Sequence, residues 1–406
     1  MFQLAWRNLW RNSRRTIITL MAVALSTALL MMTDALMVGF IEHAVKNATN
    51  ISVGEAQIHD PDYLTEHSMY DTVENADEVL ATLDKDGIPA APRSFGFGLL
   101  SNGAKSAGAQ FWGIDPERER EAFDLPTHII PGMGTFITEN MRGKIVLGKK
   151  LAKTLQAEPG SELVIVVQAA DGSLGNELFV VAGVLKTIGD AIDRGAAILH
   201  HEDFERLFVS GGRIHEIAVN SRGTLTLPEL ATLLKQMAPG QEIKTWRLLL
   251  PILSDFMNTI DVTMWIFMSI FLIAAGLGVM NTMIMATHER IHEFGVIKAL
   301  GATNSRIFRD VAAEAVLLGF LSTMLGVLIG LVGCYFLQTR GIDTSAWAQD
   351  TSFGGVAFDP IWRGAIRAAS IYVPVALMWL ICFFASVYPA FLMVRLNPVE
   401  AIASHG

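Results

Sequence analysis

Four apolar runs are separated by polar stretches along the chain: Thr16 to Gly39, Val262 to Ala286, Val311 to Leu337 and Ser370 to Val394. A helix needs ~20 residues at ~1.5 Å of rise each to cross the hydrocarbon core, so each run predicts a transmembrane helix. Pro374 falls inside the fourth, a kink that neighbouring helices can accommodate. Between the second and third runs lies the charged segment NTMIMATHERIHEFGVIKALGATNSRIFRDVAAE, Asn281 to Glu314. Here Ile291, Phe294, Val296, Ile297, Ala299 and Leu300 alternate with His288, Glu289, Arg290, His292, Glu293 and Lys298 at roughly helical spacing. That pattern predicts an amphipathic helix at one membrane face, interrupted by Gly295. Gly301 with Ala302 and Thr303 predicts a helix stop and a new N-cap at Thr303 or Asn304.

The chain opens with MFQLAWRNLWRNSRR, where Arg7, Arg11 and Arg14 recur at i, i+4 and i+7 and Trp6 and Trp10 lie four apart. This predicts an interfacial helix whose cations meet anionic headgroups and whose indoles sit in the aromatic belt. Positive charge stays in the cytoplasm, so helix 1 is expected to run outwards and, with four spans, both termini are expected inside. No small-x-small cleavage site follows the first run, which favours an uncleaved anchor over a signal peptide.

The long polar insert has a different rhythm. SVGEAQIHD, RSFGFGLLSNGAKSAGAQFWGID and SELVIVVQAADGSLGNELFVVAGVL predict strands, the last two as hairpins turning at Ser101-Asn102-Gly103 and Asp171-Gly172. ADEVLATLDKDG, GKKLAKTLQA, HEDFERLF and LPELATLLKQMAPG predict short amphipathic helices. The fold class is therefore a membrane protein, with four transmembrane α-helices and a large α+β extracytoplasmic domain inserted between helices 1 and 2. The expected organisation is an amphipathic cytoplasmic helix over 1–15, helix 1 over 16–40, the outer domain over 41–257 and helix 2 over 258–286. A cytoplasmic coupling helix over 287–310, helix 3 over 311–337, an outer loop over 338–369, helix 4 over 370–394 and a cytoplasmic tail over 395–406 complete it.

Composition agrees with this division. Hydrophobic residues make up 51% of the 406 and charged ones only 17%, too apolar for an ordinary soluble chain. Residues 41–257 carry 30 acidic and 19 basic side chains, a net of −11 against −9 for the whole, so the remainder carries +2. An acidic insert cannot neutralise phosphates, which excludes nucleic acid as a partner. Cys334 and Cys382 both fall in apolar runs without metal spacing and are expected to be packing residues.

Candidate chemistry is sparse. His288-Glu289-Arg290-Ile291-His292 matches the zinc-protease pattern H-E-x-x-H, but no third ligand stands out in a matching helix, and no bound metal is expected. Asp115 to Glu121 is expected to be a solvated helix start, and Asn47-Ala48-Thr49 fits a glycosylation sequon close to the first span. Asp34 and Asp261 lie towards the outer ends of their helices, where water or headgroups are expected around them. Glu314 enters the third run one turn past Asp310; it is placed to pair with an interfacial arginine and relay a signal, or to sit among wet headgroups. Gly326 and Gly330 have the GxxxG spacing that brings two helix backbones together, within one subunit or between two. No G-x-x-x-x-G-K-[ST] occurs, so no ATP is expected to bind this chain and its energy is expected from a partner.

Glu289, Arg290, Glu293, Gly295, Lys298, Ala299, Gly301 and Ala302 fall in register on the pattern Glu-Arg-x-x-Glu-x-Gly-x-x-(Arg/Lys)-Ala-x-Gly-Ala. This resembles the coupling helix of the FtsX/MacB/LolC-LolE superfamily of ABC transporter permeases, as do the opening LAWRNLWRNSRRT and the closing YPAFLMVRLNPVEAI. GEAQIHDPDYL, APRSFGFGLLSNG and FWGIDPERE look most similar to the lipoprotein-releasing LolC/LolE branch. The resemblance implies a bacterial inner-membrane permease with a periplasmic insert, a dimeric ATPase partner that holds ATP and Mg²⁺, and a second permease copy or sister. It further implies extraction of lipoproteins towards the outer membrane, with a periplasmic carrier or adaptor. MacB-like efflux of small molecules or peptides, and FtsX-like signalling to a cell-wall hydrolase, are the alternatives it leaves open.

Overall fold

The computed structural model describes residues 2–103, 105–346, 352–353, 355–357, 360–395 and 397. Parts of the expected loop over 338–369 and all but Arg395 and Asn397 of the tail lie outside the described residues. Two compact units result: residues 1–42, 258–346 and 360–406 form one, and residues 43–257 and 347–359 the other.

The helices, in chain order, are α1 (Phe2–Arg11), α2 (Ser13–Asn47), α3 (Tyr63–Glu66), α4 (Ala76–Lys85), α5 (Pro116–Ala122), α6 (Lys149–Leu155) and α7 (Asp190–Gly195). They continue with α8 (His201–Phe208), α9 (Leu227–Met237), α10 (Trp246–Leu249), α11 (Pro251–His288), α12 (Ile291–Ala299), α13 (Asn304–Thr339) and α14 (Ala368–Val394). The strands of the main sheet are β1 (Ala56–His59), β2 (Ala90–Asn102), β3 (Lys105–Ile114), β4 (Ile129–Gly134) and β5 (Lys144–Leu147). β6 (Glu162–Gln168), β7 (Leu174–Leu185), β8 (Ala196–His200), β9 (Glu216–Val219) and β10 (Glu242–Thr245) follow.

Among the described residues α2, α11, α13 and α14 are long and apolar enough to cross a membrane. Their shared core runs through Val23, Met268, Val279, Val311, Leu318 and Cys382. Both cysteines are buried and unpaired with each other, as packing residues are. The GxxxG face of α13 meets α2 of the same chain, which settles a choice the sequence left open. A Cβ on Gly326 would lie 2.6 Å from the Ala24 carbonyl oxygen and 2.7 Å from Thr27 Cβ, and one on Gly330 2.9 Å from Met31 Sδ. Gly326→Leu is accordingly expected to push α13 off α2. Thermal unfolding in detergent should show a lower midpoint already for Gly326→Ala, by the ~1–3 kcal/mol that overpacking costs, and loss of monodisperse protein for Leu.

In the other unit the two expected hairpins form, β2 with β3 and β6 with β7. They also pair with each other. β2, β3, β8, β5, β7 and β6 close a ring of ladders, and Leu100, Phe111, Leu199, Ile145, Phe179 and Ile165, one from each strand, fill it with no exposed surface. β4 extends the ring at β7. On the far side of β2 the order β10-β1-β9-β2 makes a smaller layer, covered by α4 and α9 through Val79, Leu83, Leu230 and Leu234. β2 belongs to both layers, and its Gly-x-Gly allows it. A Cβ on Gly98 would lie 2.7 Å from the Val166 carbonyl oxygen, and one on Gly96 would enter the Phe208 ring.

Asp115 caps α5 by accepting from the Glu117 and Arg118 amides, as a helix start should. The expectation of a wholly solvated start is nevertheless wrong at Glu119, which is fully buried. There it receives Arg93 through Nη2 at 2.7 Å and Nε at 3.2 Å. The reason is non-local: β2 and β9 bring Arg93 and Glu216 to the inner face of α5. Asn47-Ala48-Thr49 is likewise not a free loop sequon. α2 continues to Asn47 and then as a π-helical turn over Ala48–Val53, with Ala48 and Thr49 buried. Ala44 and Ala48 pack there with Trp246 and Leu253, so the helix outlasts the apolar run that predicted 16–40.

Candidate coupling site

The segment over 287–310, expected as a coupling helix that stops at Gly301 with a new N-cap at Thr303 or Asn304, is in three pieces. α11 ends at His288, Glu289 and Arg290 form a turn, α12 covers Ile291–Ala299, and α13 starts at Asn304 after Thr303 in extended conformation. Gly295 does not interrupt α12; it is buried within it. The stop comes at Gly301, whose φ of +91° is open to glycine. Its amide donates to the Lys298 carbonyl at 3.0 Å and that of Ala302 to the Ile297 carbonyl at 3.2 Å. These are the two bonds of a Schellman closure, which is why a glycine is needed at this position.

The charged residues then fall into place around Arg290. Its Nη1 donates to Glu314 Oε1 at 2.5 Å and its Nε to Glu293 Oε2 at 3.0 Å, while the guanidinium lies 4.9 Å over the Phe294 ring. Glu314 is buried, so its partner is the arginine rather than headgroups. Glu293 also accepts from Arg11 Nη1 at 2.6 Å, and Glu289 from Arg15 Nη1 at 2.9 Å. Partial burial opposes ionisation of Glu293, but the hydrogen bonds from Arg11 and Arg290 hold its carboxyl below the ordinary range. Lys298 Nζ donates to the Val394 carbonyl at 2.6 Å, a cation at the last turn of α14. The turn at 289–290 and α12 are thus tied to α1, α2, α13 and α14.

Arg11 and Arg15 are ion-pair partners of this segment that sequence reasoning assigned to headgroups or passed over. A signal was available: Arg11 and Arg15 are four apart, as are Glu289 and Glu293. Two segments with opposite charges at the same spacing can pair rung for rung. Exposed pairs of this kind contribute ~0.2–1 kcal/mol each, whereas removing one partner of the buried Arg290–Glu314 contact costs more. Trp6 and Trp10 remain exposed, their rings edge to face at 5.9 Å.

The outer side of α12 is unlike an amphipathic helix resting on its own protein. Ala299 is exposed, as are the apolar Val296, Ile297 and Leu300, the last at 83%. These residues lie at the C-terminal end of α12 and give it an apolar edge.

A zinc site does not fit. The turn at 289–290 separates His288 from His292, so the two do not stand one turn apart on a single helix as H-E-x-x-H requires. The described residues bring His200, His201 and Glu202 within ligand distance of one another. There His200 Nδ1 accepts the Glu202 amide at 3.2 Å, its Nε2 faces Glu139 at 3.2 Å, and Glu202 is paired with Arg142 at 2.9 Å. Those atoms are already engaged.

Two family models match this chain: the MacB-like periplasmic core domain over residues 16–237 and the FtsX-like permease C-terminal model over residues 265–398. An uncharacterized ABC transporter permease of Methanocaldococcus jannaschii is 23% identical over 74% of this chain and 72% of the relative. The pyoverdine export ATP-binding/permease protein PvdT of Pseudomonas fluorescens is 25% identical over 81% of this chain and 51% of the relative. The macrolide export ATP-binding/permease protein MacB of Wolinella succinogenes is 28% identical over 49% of this chain and 32% of the relative. The chain therefore spans a third to a half of these two export relatives. The periplasmic region of MacB from Actinobacillus actinomycetemcomitans overlays 51% of this chain and 92% of its own length, with a TM-score of 0.35 and 18% identity.

Proposed function

We propose a coupling role for α12 from a fixed premise: the chain belongs to the ABC transporter permeases that join a MacB-like periplasmic core domain to an FtsX-like C-terminal region. In this reading a separate ATPase dimer binds the exposed edge of α12, and closure on ATP pushes it. The ion pairs at Glu289, Arg290 and Glu293 and the Lys298 hydrogen bond carry the push into α2, α13, α1 and α14 as nearly rigid bodies. Glu289 and Gly301 set the two ends of the lever. The observation that carries the reading is this combination: a nine-residue helix tied to its neighbours by charge, yet presenting Val296, Ile297 and Leu300 outwards. Two docking surfaces on an ATPase dimer call for two permeases, a second copy or a sister. Both termini and α12 then face the cytoplasm of an inner-membrane protein.

The cargo proposed first is an acylated lipoprotein, on the likeness of GEAQIHDPDYL and APRSFGFGLLSNG to the lipoprotein-releasing branch, delivered to a periplasmic carrier. Efflux is the second reading, favoured by relatives named for macrolide and pyoverdine export. The test is affinity purification of the detergent-solubilised chain and of Leu300→Asp, an exposed position whose change leaves the ion pairs intact. An ATPase subunit that co-purifies with the intact chain and drops at least tenfold with the variant supports coupling through α12; equal recovery removes it. Acylated proteins in the same eluate would favour lipoprotein release over efflux.

A further inference from the structure

A second feature lies at the other end of the membrane unit. α2, α11 and α14 line a cleft of about 220 Å³, with Met37, Met264, Trp265 and Pro374 among its apolar walls. Two carboxylates, Asp34 and Asp261, share these walls. Among the described residues neither has a hydrogen bond or ion pair to the protein. Asp34 is 19 positions beyond Arg15, which at ~1.5 Å per residue is ~28 Å, close to the ~30 Å hydrocarbon thickness. The cleft therefore opens where the far leaflet meets its headgroups. Asp34 is half-buried there and Asp261 exposed, so both charges are open to a cation lying on the apolar walls.

We infer that this cleft is a binding site for a cationic amphiphile: an alkyl or aryl body bearing a protonated or quaternary amine. The apolar walls take the body, and the charge of the head complements Asp34 and Asp261. Trp265 is 59% exposed on these walls, and an indole is the ring that attracts a cation best. An anionic amphiphile is excluded by the same two carboxylates. A neutral one buries its tail equally well but leaves both acids unpaired, so the carboxylates supply the selectivity. The site is independent of α12 and stands whether or not coupling runs through that helix.

The test uses the full chain in nanodiscs of zwitterionic lipid, titrated with 12-bromododecyl-trimethylammonium, whose bromine quenches indole fluorescence. Subtracting the Trp265→Phe signal isolates the indole in the cleft. Saturable quenching of Trp265 is expected, with at least a tenfold higher concentration needed by Asp34→Asn/Asp261→Asn and near-normal binding by Asp34→Glu/Asp261→Glu. A bromododecyl maltoside should bind the parent and the Asn pair alike, and weakly. Equal potency of the neutral and cationic probes, or quenching untouched in the Asn pair, overturns the site. ATPase recovery by the Asn pair is expected to be unchanged, so failure here and failure of the coupling reading are read separately.

Discussion

Arg93→Met is expected to destabilise the outer domain by about 3–5 kcal/mol, the cost of removing one member of a buried ion pair. Arg93 is 2% exposed and holds two carboxylates at once, Glu119 at 2.7 Å and Glu216 at 2.9 Å. Its Nη1 also donates to the Ser52 carbonyl at 2.5 Å, and its guanidinium lies 4.6 Å from the Phe123 ring. One side chain thereby joins the π-helical turn after α2 to β2, α5 and β9. Methionine fills much of the volume but leaves two buried acids without a cation. Burial already pushes both carboxyls above the ordinary range, against the pull of Arg93. Without the arginine they rise further. A folded-state pKa above the unfolded value stabilises at low pH, and that stabilisation is lost as pH rises through the folded pKa. The deficit of Arg93→Met should therefore be largest at pH 7 and shrink towards pH 5. Trp112, 5.6 Å from Arg93, is a built-in reporter for denaturant unfolding of the full chain. Adding Glu119→Gln and Glu216→Gln should recover much of the loss; a deficit independent of pH would mean that volume rather than charge is at fault.

Arg290→Ala is expected to uncouple the partner ATPase, with stimulation of its activity by the permease falling at least tenfold while the outer domain unfolds as before. The change removes the Arg290 contact from buried Glu314 on α13 and frees one of the two bonds on Glu293. Taking the guanidinium away from a carboxylate at 6% exposure costs more than the exposed pairs at Arg11 and Arg15 can offset. α12 should then lose its fixed angle to α13. ATP hydrolysis by the purified complex in nanodiscs measures this. The swap Arg290→Glu/Glu314→Arg restores opposite charges and should recover at least part of the stimulation, whereas each single reversal should not.

How much of this was legible beforehand follows from the range of each interaction. The apolar runs announced α2, α11, α13 and α14 because crossing a bilayer is a requirement on consecutive residues. The hairpin turn at 171–172 and the stop at Gly301 were readable for the same reason, each depending on the backbone freedom of one or two residues, whereas of the turn expected at 101–103 only Gly103 turns, Ser101 and Asn102 being paired in the ladder. Chemistry carried by pattern alone was less secure. H-E-x-x-H reads as a zinc motif only if one helix carries both histidines, and a turn at 289–290 separates them.

By itself, then, the sequence determined four apolar helices, an acidic insert of mixed strands and helices, and a charged segment with family-like spacing between helices 2 and 3. Tertiary structure alone decided that β2 pairs with β6 and closes a ring, that Gly326 meets Ala24 of the same chain, and that Glu119 is buried on Arg93 instead of solvated. It also decided that Glu293 answers Arg11 across 282 positions. Hydropathy and turn chemistry are properties of neighbours along the chain. Pairing and desolvation are properties of neighbours in space, and the free energy of a charge depends on which of them the fold brings within 3 or 4 Å.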